Sequence, residues 1–300
     1  MKILLTGKNG QVGFELQRTL PALGELVAVG HAECDLADAT ALRTLIRNVK
    51  PDFIVNAAAY TAVDKAESET AMAAAVNAKA PGVIGEEAAR LGACVVHYST
   101  DYVFDGTKTA PYVEDDATHP LSVYGASKRD GERALQASGA RHLIFRASWV
   151  AGAHGNNFAR TILRLAAERD SLAVVAYQIG VPTSSSLLAA STVTLLRQIQ
   201  RQGSVGFAFG LYHLVPSGET TWHEYACFVI DAARRAGKAL RLKTQDVKAI
   251  TTAQYPLPAK RPANSRLDTT LLRRTFGLEL PSWQSGVEEI LRELFRGEGA

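Results

Sequence analysis

Tyr124 and Lys128 stand four residues apart in VYGASKRDGE (123–132), a stretch with a helical pattern. At that spacing both side chains project from one helix face. A phenol with an ordinary pKa of about 10 is a poor proton donor or acceptor at neutral pH. A neighbouring ammonium stabilises the phenolate, lowers that value and makes Tyr124 usable as a general acid–base. A Tyr-x-x-x-Lys pair is common, and taken alone it is usually an exposed helix pair. This one follows an apolar strand, ACVVHY (93–98), that runs into Ser99, Thr100 and Asp101 and then into Tyr102, Val103 and Phe104. A surface loop has no need of the last three, and a core strand has no need of the first three. The segment is built to hold a small polar group against an apolar wall.

The elements that must position these residues alternate through the first half of the chain. KILLT (2–6), LVAVG (26–30), FIVNA (53–57), ACVVHY and HLIFRA (142–147) read as buried strands, with helices expected at about 11–22, 38–49, 70–91 and 123–138. That rhythm predicts a Rossmann-like, doubly wound parallel sheet covered on both faces. After Trp149 the rhythm loosens. Helices are expected at about 157–169, 187–202, 221–236, 268–275 and 283–296, with strands at 172–176 and 210–215. The expected organisation is a dinucleotide-binding domain over 1–150 and a smaller α/β substrate lobe over 151–300, with the helix near 187–202 returning to the core domain.

LLTGKNGQVG places Gly7, Gly10 and Gly13 between the first strand and the first helix. Gly7 permits the tight turn, Gly10 lets backbone approach a pyrophosphate, and Gly13 allows close helix–strand packing, with the helix N-terminus facing the negative charge. The spacing is G-x-x-G-x-x-G, so the motif gains its meaning from the βαβ frame around it. The second strand ends Val29-Gly30-His31, without the carboxylate that usually meets the adenosine ribose of NAD. Lys8 or His31 would attract a 2′-phosphate, which leans toward NADPH and leaves NADH open. Asp35 suits an adenine edge and Leu36 its ring, although Asp35 reads equally well as a helix cap. The alanines of NAAAYTAVDKAE (56–67) leave room for a cofactor against the third strand's C-terminal end.

Composition narrows the class. A chain of 300 residues with 47% hydrophobic content can bury a large core. With 33 Lys+Arg against 30 Asp+Glu spread along it, nothing marks a nucleic-acid track or a membrane-surface patch. No apolar run reaches the roughly 18 residues of a membrane span. Three scattered cysteines (Cys34, Cys94, Cys227) fit a reducing cytoplasm, and the seven histidines have no metal-ligand spacing.

Together the glycine loop, the strand-end hydroxyl and the Tyr-x-x-x-Lys pair resemble the extended short-chain dehydrogenase/reductases. GKNGQVGFELQ, VNAAAYTAVDKAE, HYSTDYVFDG, VYGASK, GNNF, Pro182-Thr183, GLYHLV, TWHEYA and RPANSRL are similar, over essentially the whole chain, to the dTDP-4-dehydrorhamnose reductases. The resemblance implies that Thr100, Tyr124 and Lys128 form the catalytic set, with Tyr124 and Lys128 also against the nicotinamide half of the cofactor. It implies that Gly7, Gly10, Gln11, Val12 and Gly13 hold the pyrophosphate, that Asp35 and Leu36 meet adenosine, and that Ala58, Ala59 and Thr61 line the cofactor's path. Thr100, Asp101, Tyr102 and Trp149 would touch the sugar of a dTDP-sugar substrate. Arg261, Asn264 and Arg266, in a proline-bounded loop, are candidates for its phosphates, whereas TWHEYA reads as a helix packing Trp222 and Tyr225 into the lobe. Some family members are dimers that use magnesium, so a homodimer is open and Glu15 and Glu293 are positions for the metal, although no clear metal motif is present. Ala151 and Tyr177-Gln178 depart from the family pattern. Two alternatives stay open: another nucleotide-sugar reductase or epimerase, and a non-catalytic NADP-binding regulatory subunit. A dehydratase is disfavoured because Asp101 is followed by Tyr102 rather than by a second acid.

Overall fold

Five apolar segments of the first half pair only with parallel neighbours; four are largely buried, and Glu25–Val29, at the sheet edge, is half-buried. They are β1 (Lys2–Thr6), β2 (Glu25–Val29), β3 (Phe53–Asn56), β4 (Cys94–Thr100) and β5 (Arg141–Ala147). The computed structural model describes residues 1–297. Two later strands form a separate parallel pair, β6 (Leu172–Val175) with β8 (Val247–Ile250), while β7 (Gly210–His213) joins the edge of the main sheet. The six-stranded order is β7-β5-β4-β3-β1-β2. Strand order reverses at β1, which has β2 on one side and β3 on the other, and such a switch point opens a crevice at the strand C-termini.

The helices follow from apolar stripes and local caps. Besides the single turn Val63–Ala66, they are α1 (Gln11–Thr19), α2 (Ala39–Val49), α3 (Thr70–Ala74), α4 (Ala80–Leu91), α5 (Val123–Ala137), α6 (Phe158–Glu168), α7 (Ser185–Gln202), α8 (Trp222–Arg235), α9 (Thr270–Phe276) and α10 (Trp283–Gly297). Ser122 caps α5 by accepting from Gly125 N at 3.1 Å, and Thr221 and Glu224 form a reciprocal capping box at α8. Two expected helices are interrupted. The first ends at Thr19 and continues as a 3-10 turn, Leu20–Ala22, where Pro21 can neither donate nor fit the preceding turn. The stretch 70–91 passes through a π-helical turn, Ala75–Lys79, just before Pro81, whose missing N–H breaks the regular ladder.

Apolar side chains collect in three clusters. On one sheet face Ile3, Leu5 and Val96 pack with Leu188, Leu195 and Leu196, so α7 covers this face together with α1. On the other face Leu4, Ile54 and Val95 pack with Leu42, Ile46, Ile84 and Ala88 of α2 and α4. The third cluster joins α6, α8 and α10 through Ile162, Tyr225, Val229 and Leu291, and it takes in Val103 and Phe104. The loop after β4 is therefore anchored in this third cluster at the point where it leaves the main sheet. Among the described residues no helix is long and apolar enough to cross a membrane.

Candidate active site

The crevice predicted by the switch point is a cleft of about 1030 Å³ that brings the glycine loop, the ends of β3 and β4, and the start of α5 together. Gly7, Gly10, Gln11 and Val12 line it, with Asp35, Leu36, Ala58, Ala59 and Thr61 further along its wall. Gly7 has φ +77°, and a Cβ there would fall 2.5 Å from Ala58 N, so the turn tolerates glycine alone. Gly13 lies behind the cleft wall, where a Cβ would meet Gly7 O at 2.0 Å; it permits the packing of α1 against the loop. Gln11 reaches out of that loop, and its Oε1 accepts from Gly152 N at 2.8 Å and Asn157 Nδ2 at 3.0 Å.

At the adenosine end, Asp35 caps its own turn by accepting from Ala37 N at 2.9 Å, and Leu36 is buried. An acid is present here after all. Glu33 Oε2 accepts from Gly30 N at 2.8 Å, and Glu33 Oε1 takes Lys8 Nζ at 2.5 Å. Lys8, expected to be available to a 2′-phosphate, is thus already paired. The Lys8 ammonium and Gly30 N–H hold the Glu33 carboxyl below the usual range.

At the reacting end, Thr100, Asp101, Tyr102, Tyr124, Lys128 and Trp149 all face the cleft. Thr100 Oγ1 donates to Asp101 Oδ1 at 3.0 Å and accepts from Tyr102 N at 3.2 Å. Asp101 is 2% exposed, and its Oδ2 has no partner. Burial pushes the Asp101 carboxyl up to about 6, against the easing effect of the Ser265 and Thr100 hydroxyls. The Tyr102 and Tyr124 rings meet edge to face with centroids 5.6 Å apart.

The electrostatics differ from the expectation that Lys128 depresses Tyr124. Burial dominates and pushes the Tyr124 phenol up to about 12, with the Thr100 hydroxyl favouring ionisation and Asp101 opposing it. Lys128 is itself 2% exposed, and burial lowers it to about 8, partly offset by Glu132. Its Nζ donates to Tyr98 O at 2.6 Å and lies 3.3 Å from His97 Nε2. Tyr124 is accordingly a neutral phenol at physiological pH, poised to give a proton rather than to take one.

The remaining expected positions sit outside the cleft lining. Arg261 forms a two-pronged ion pair with Asp64, at 2.9 and 2.7 Å, that ties the loop after β3 to the RPANSRL run. Asn264 is buried, and its amide donates to Lys108 O and Ala110 O while its oxygen accepts from Arg266 N and Nε. Arg266 also donates to Thr109 O and pairs with Glu219. Glu15 pairs with Arg18, which also faces Glu293, and among the described residues no group of three or more His, Cys, Asp or Glu could hold a metal ion.

Comparison with known proteins agrees with this arrangement. The family described as the RmlD substrate binding domain matches residues 1–296. The dTDP-4-dehydrorhamnose reductase of Escherichia coli strain K12 is 51% identical over 299 residues, covering 98% of each chain. The chain belongs to the dTDP-4-dehydrorhamnose reductase family. A Shigella flexneri member of this reductase family is 50% identical, again with 98% of each chain covered. Among solved structures, the family member from Clostridium acetobutylicum superposes with a TM-score of 0.89 at 34% identity, covering 98% of this chain and 100% of that one. The Bacillus anthracis reductase, crystallised in complex with NADP, gives 0.87 at 31%, with 97% and 99% covered.

Within this reductase family frame, one residue at the reacting end escaped the sequence reading. Trp222, expected only to pack, lines the cleft and stacks on Trp149 with centroids 3.7 Å apart, its Nε1 donating to Gln178 Oε1 at 3.2 Å. Trp149 adopts φ +45°, a strained value for a bulky residue, which turns its indole toward Trp222. Trp149 was expected at the sugar, but the sequence signal for Trp222 was only its place at a helix start.

Proposed function

We propose that this chain reduces the C4 ketone of dTDP-4-dehydro-L-rhamnose to dTDP-L-rhamnose, with a nicotinamide cofactor as reductant. The single observation that carries the reading is the convergence of Thr100, Tyr124 and Lys128 on one cleft with the Gly7–Gly10 turn. The residues fit a dinucleotide. The turn offers backbone N–H groups at the N-terminus of α1, and small side chains at Ala58 and Ala59 leave its path open. NADPH is the proposed cofactor, as the NADP complex of the Bacillus anthracis relative supports, with NADH as an alternative because Glu33 stands at the end of β2 and occupies Lys8. When bound, the cofactor supplies hydride to C4.

The chain's own residues would do the rest. Thr100 Oγ1, its proton turned from Asp101 Oδ1 to the substrate, hydrogen-bonds the ketone oxygen and polarises it. Tyr124, neutral at working pH, gives its proton to the oxygen as negative charge develops there. Lys128 holds the nicotinamide ribose and steadies the phenolate left on Tyr124. Asp101 and Tyr102 position the sugar at the cleft wall. The stacked Trp149–Trp222 pair supplies an apolar wall. Residues 1–150 form the cofactor domain in this reading and 151–300 mainly the substrate lobe, with Arg261, Asn264 and Arg266 shaping the lobe's phosphate side. The free thiols Cys34, Cys94 and Cys227 support a cytoplasmic location.

The test is nicotinamide oxidation with purified protein, dTDP-4-dehydro-L-rhamnose and each cofactor separately. Turnover with the dTDP-hexulose supports the reading. Cofactor binding without turnover on any dTDP-hexulose would instead favour a non-catalytic NADP-binding role.

A further inference from the structure

Three buried polar residues stand side by side across β1, β3 and β4. Thr6 in β1 is in register with Asn56 in β3, and Asn56 is in register with His97 in β4. Each is no more than 1% exposed. Thr6 Oγ1 lies 2.7 Å from Asn56 Oδ1, Asn56 Nδ2 lies 3.0 Å from His97 Nδ1, and His97 Nε2 lies 3.3 Å from Lys128 Nζ. A row of buried polar groups is costly unless every member is satisfied. Apolar residues would fill the same places more cheaply. The row instead crosses three strands and stops at Lys128.

We propose that His97, oriented through Asn56 and Thr6, is a positioning residue for the reduction: it accepts a hydrogen bond from the Lys128 ammonium and so holds the lysine, charged, beneath Tyr124. The inference rests on the assignment of Tyr124 and Lys128 to the reaction. A buried ammonium needs acceptors, and apart from His97 Nε2 the Nζ has Tyr98 O at 2.6 Å. The groups acting on the pair are few. Glu132 and Tyr124 share the helix with Lys128, and His142 acts on His97 from β5. Burial, Lys128 and His142 all keep the His97 ring neutral, which leaves one ring nitrogen free to accept. In the structure Thr6 Oγ1 donates to Asn56 Oδ1 and the Asn56 amino group faces His97 Nδ1. The proposal requires that amide rotated by half a turn, a choice of oxygen and nitrogen positions that hydrogen-bond partners alone decide. Its oxygen then faces a protonated Nδ1, Nε2 accepts from Lys128, and the amino group donates to Thr6.

Loss of the acceptor disfavours the charged lysine, so the ionisation of Lys128 moves to lower pH. In the pH profile of kcat, His97→Leu should move the limb governed by Lys128 down by about one pH unit, the order expected for one hydrogen bond to a charged group. His97→Gln, which can present a carbonyl oxygen, should restore most of the wild-type profile. A folded His97→Leu protein with an unshifted or upward-shifted limb overturns the proposal, as does a Gln variant no better than Leu. If His97→Leu does not fold, nitrogen-15 NMR of histidine-labelled wild-type protein decides: Nε2 unprotonated and Nδ1 protonated is expected, and a proton on Nε2 overturns it. Lys128→Met separates the two readings, because full turnover in that variant sinks the reaction assignment itself, whatever His97 does.

Discussion

Arg146 on β5 grips Glu132 on α5 through two hydrogen bonds, Nε to Oε1 at 2.9 Å and Nη2 to Oε2 at 2.7 Å, with both side chains 4% exposed or less. Ser99 Oγ also donates to Glu132 Oε1, at 2.5 Å, and the Arg146 guanidinium lies over the Phe104 ring at 5.0 Å. One buried ion pair therefore fixes the strand end that carries Thr100 against the helix that carries Tyr124 and Lys128. Removing one partner of such a pair leaves an uncompensated buried charge, worth about 3–5 kcal/mol. Arg146→Met should lose that much in denaturant unfolding, and adding Glu132→Gln should recover part of it. No recovery in the double variant would show that the arginine acts through packing alone.

Asp101 gives a pH dependence with a definite sign. Its folded pKa, about 6, lies above the usual value near 3.8, so between these limits the folded state binds more protons than the unfolded state. Stability contributed by this group then falls as pH rises from about 4 to about 6. The loss is roughly 3 kcal/mol, since each tenfold change in proton affinity is worth about 1.4 kcal/mol. Asp101→Asn removes the penalty. Thermal melts should show the variant gaining on wild type as pH rises through that window, while its KM for the dTDP-sugar increases. An unchanged difference in melting temperature from pH 4 to pH 7 contradicts the account.

Glu33 and Lys8 make a prediction about cofactor choice. Glu33→Gln removes the carboxylate that engages Lys8 Nζ and leaves the ammonium free for a 2′-phosphate. The ratio of kcat/KM for NADPH over NADH should rise several-fold, and raising the salt concentration should erode the gain. An unaltered ratio means that the pair lies out of reach of the ribose.

Tyr124→Phe deletes the proton donor and keeps the ring that meets Tyr102. General acid catalysis typically contributes about 10²–10⁴-fold, so kcat should fall by that factor while the cofactor dissociation constant, read by fluorescence titration, stays near wild type.

The legible parts of this molecule are those fixed by local spacing. Tyr124 and Lys128 share a helix face, Gly7 demands its turn, and β1 to β5 announce themselves as short, mainly apolar runs. What distance decides was not legible. His97 looked like a lone polar residue in a strand until register placed it beside Asn56, and Glu33 sits three residues past Gly30, beyond the end of β2 where a strand-end acid was sought. The strand β8 was missed because VKAI buries one residue only and gains its pairing from β6, more than seventy positions away. The direction of the Tyr124 shift was misjudged for the same reason. Spacing identified a lysine four residues on, but burial of both groups is a property of the assembled cleft: it raises the Tyr124 phenol, and Lys128 Nζ turns to Tyr98 O and His97. The glycine turn and the β4 segment YSTDYVFDG were read from motif chemistry, and the fold places both on one cleft.

The most direct measurement follows the hydride. Purified protein is given dTDP-4-dehydro-L-rhamnose and NADPH deuterated at the transferring C4 position of its nicotinamide, and the product is examined by proton NMR. The account predicts dTDP-L-rhamnose with deuterium at sugar C4 and one cofactor oxidised per product formed. Cofactor oxidation without deuterium at C4, or unreacted ketone in the presence of bound cofactor, would contradict it.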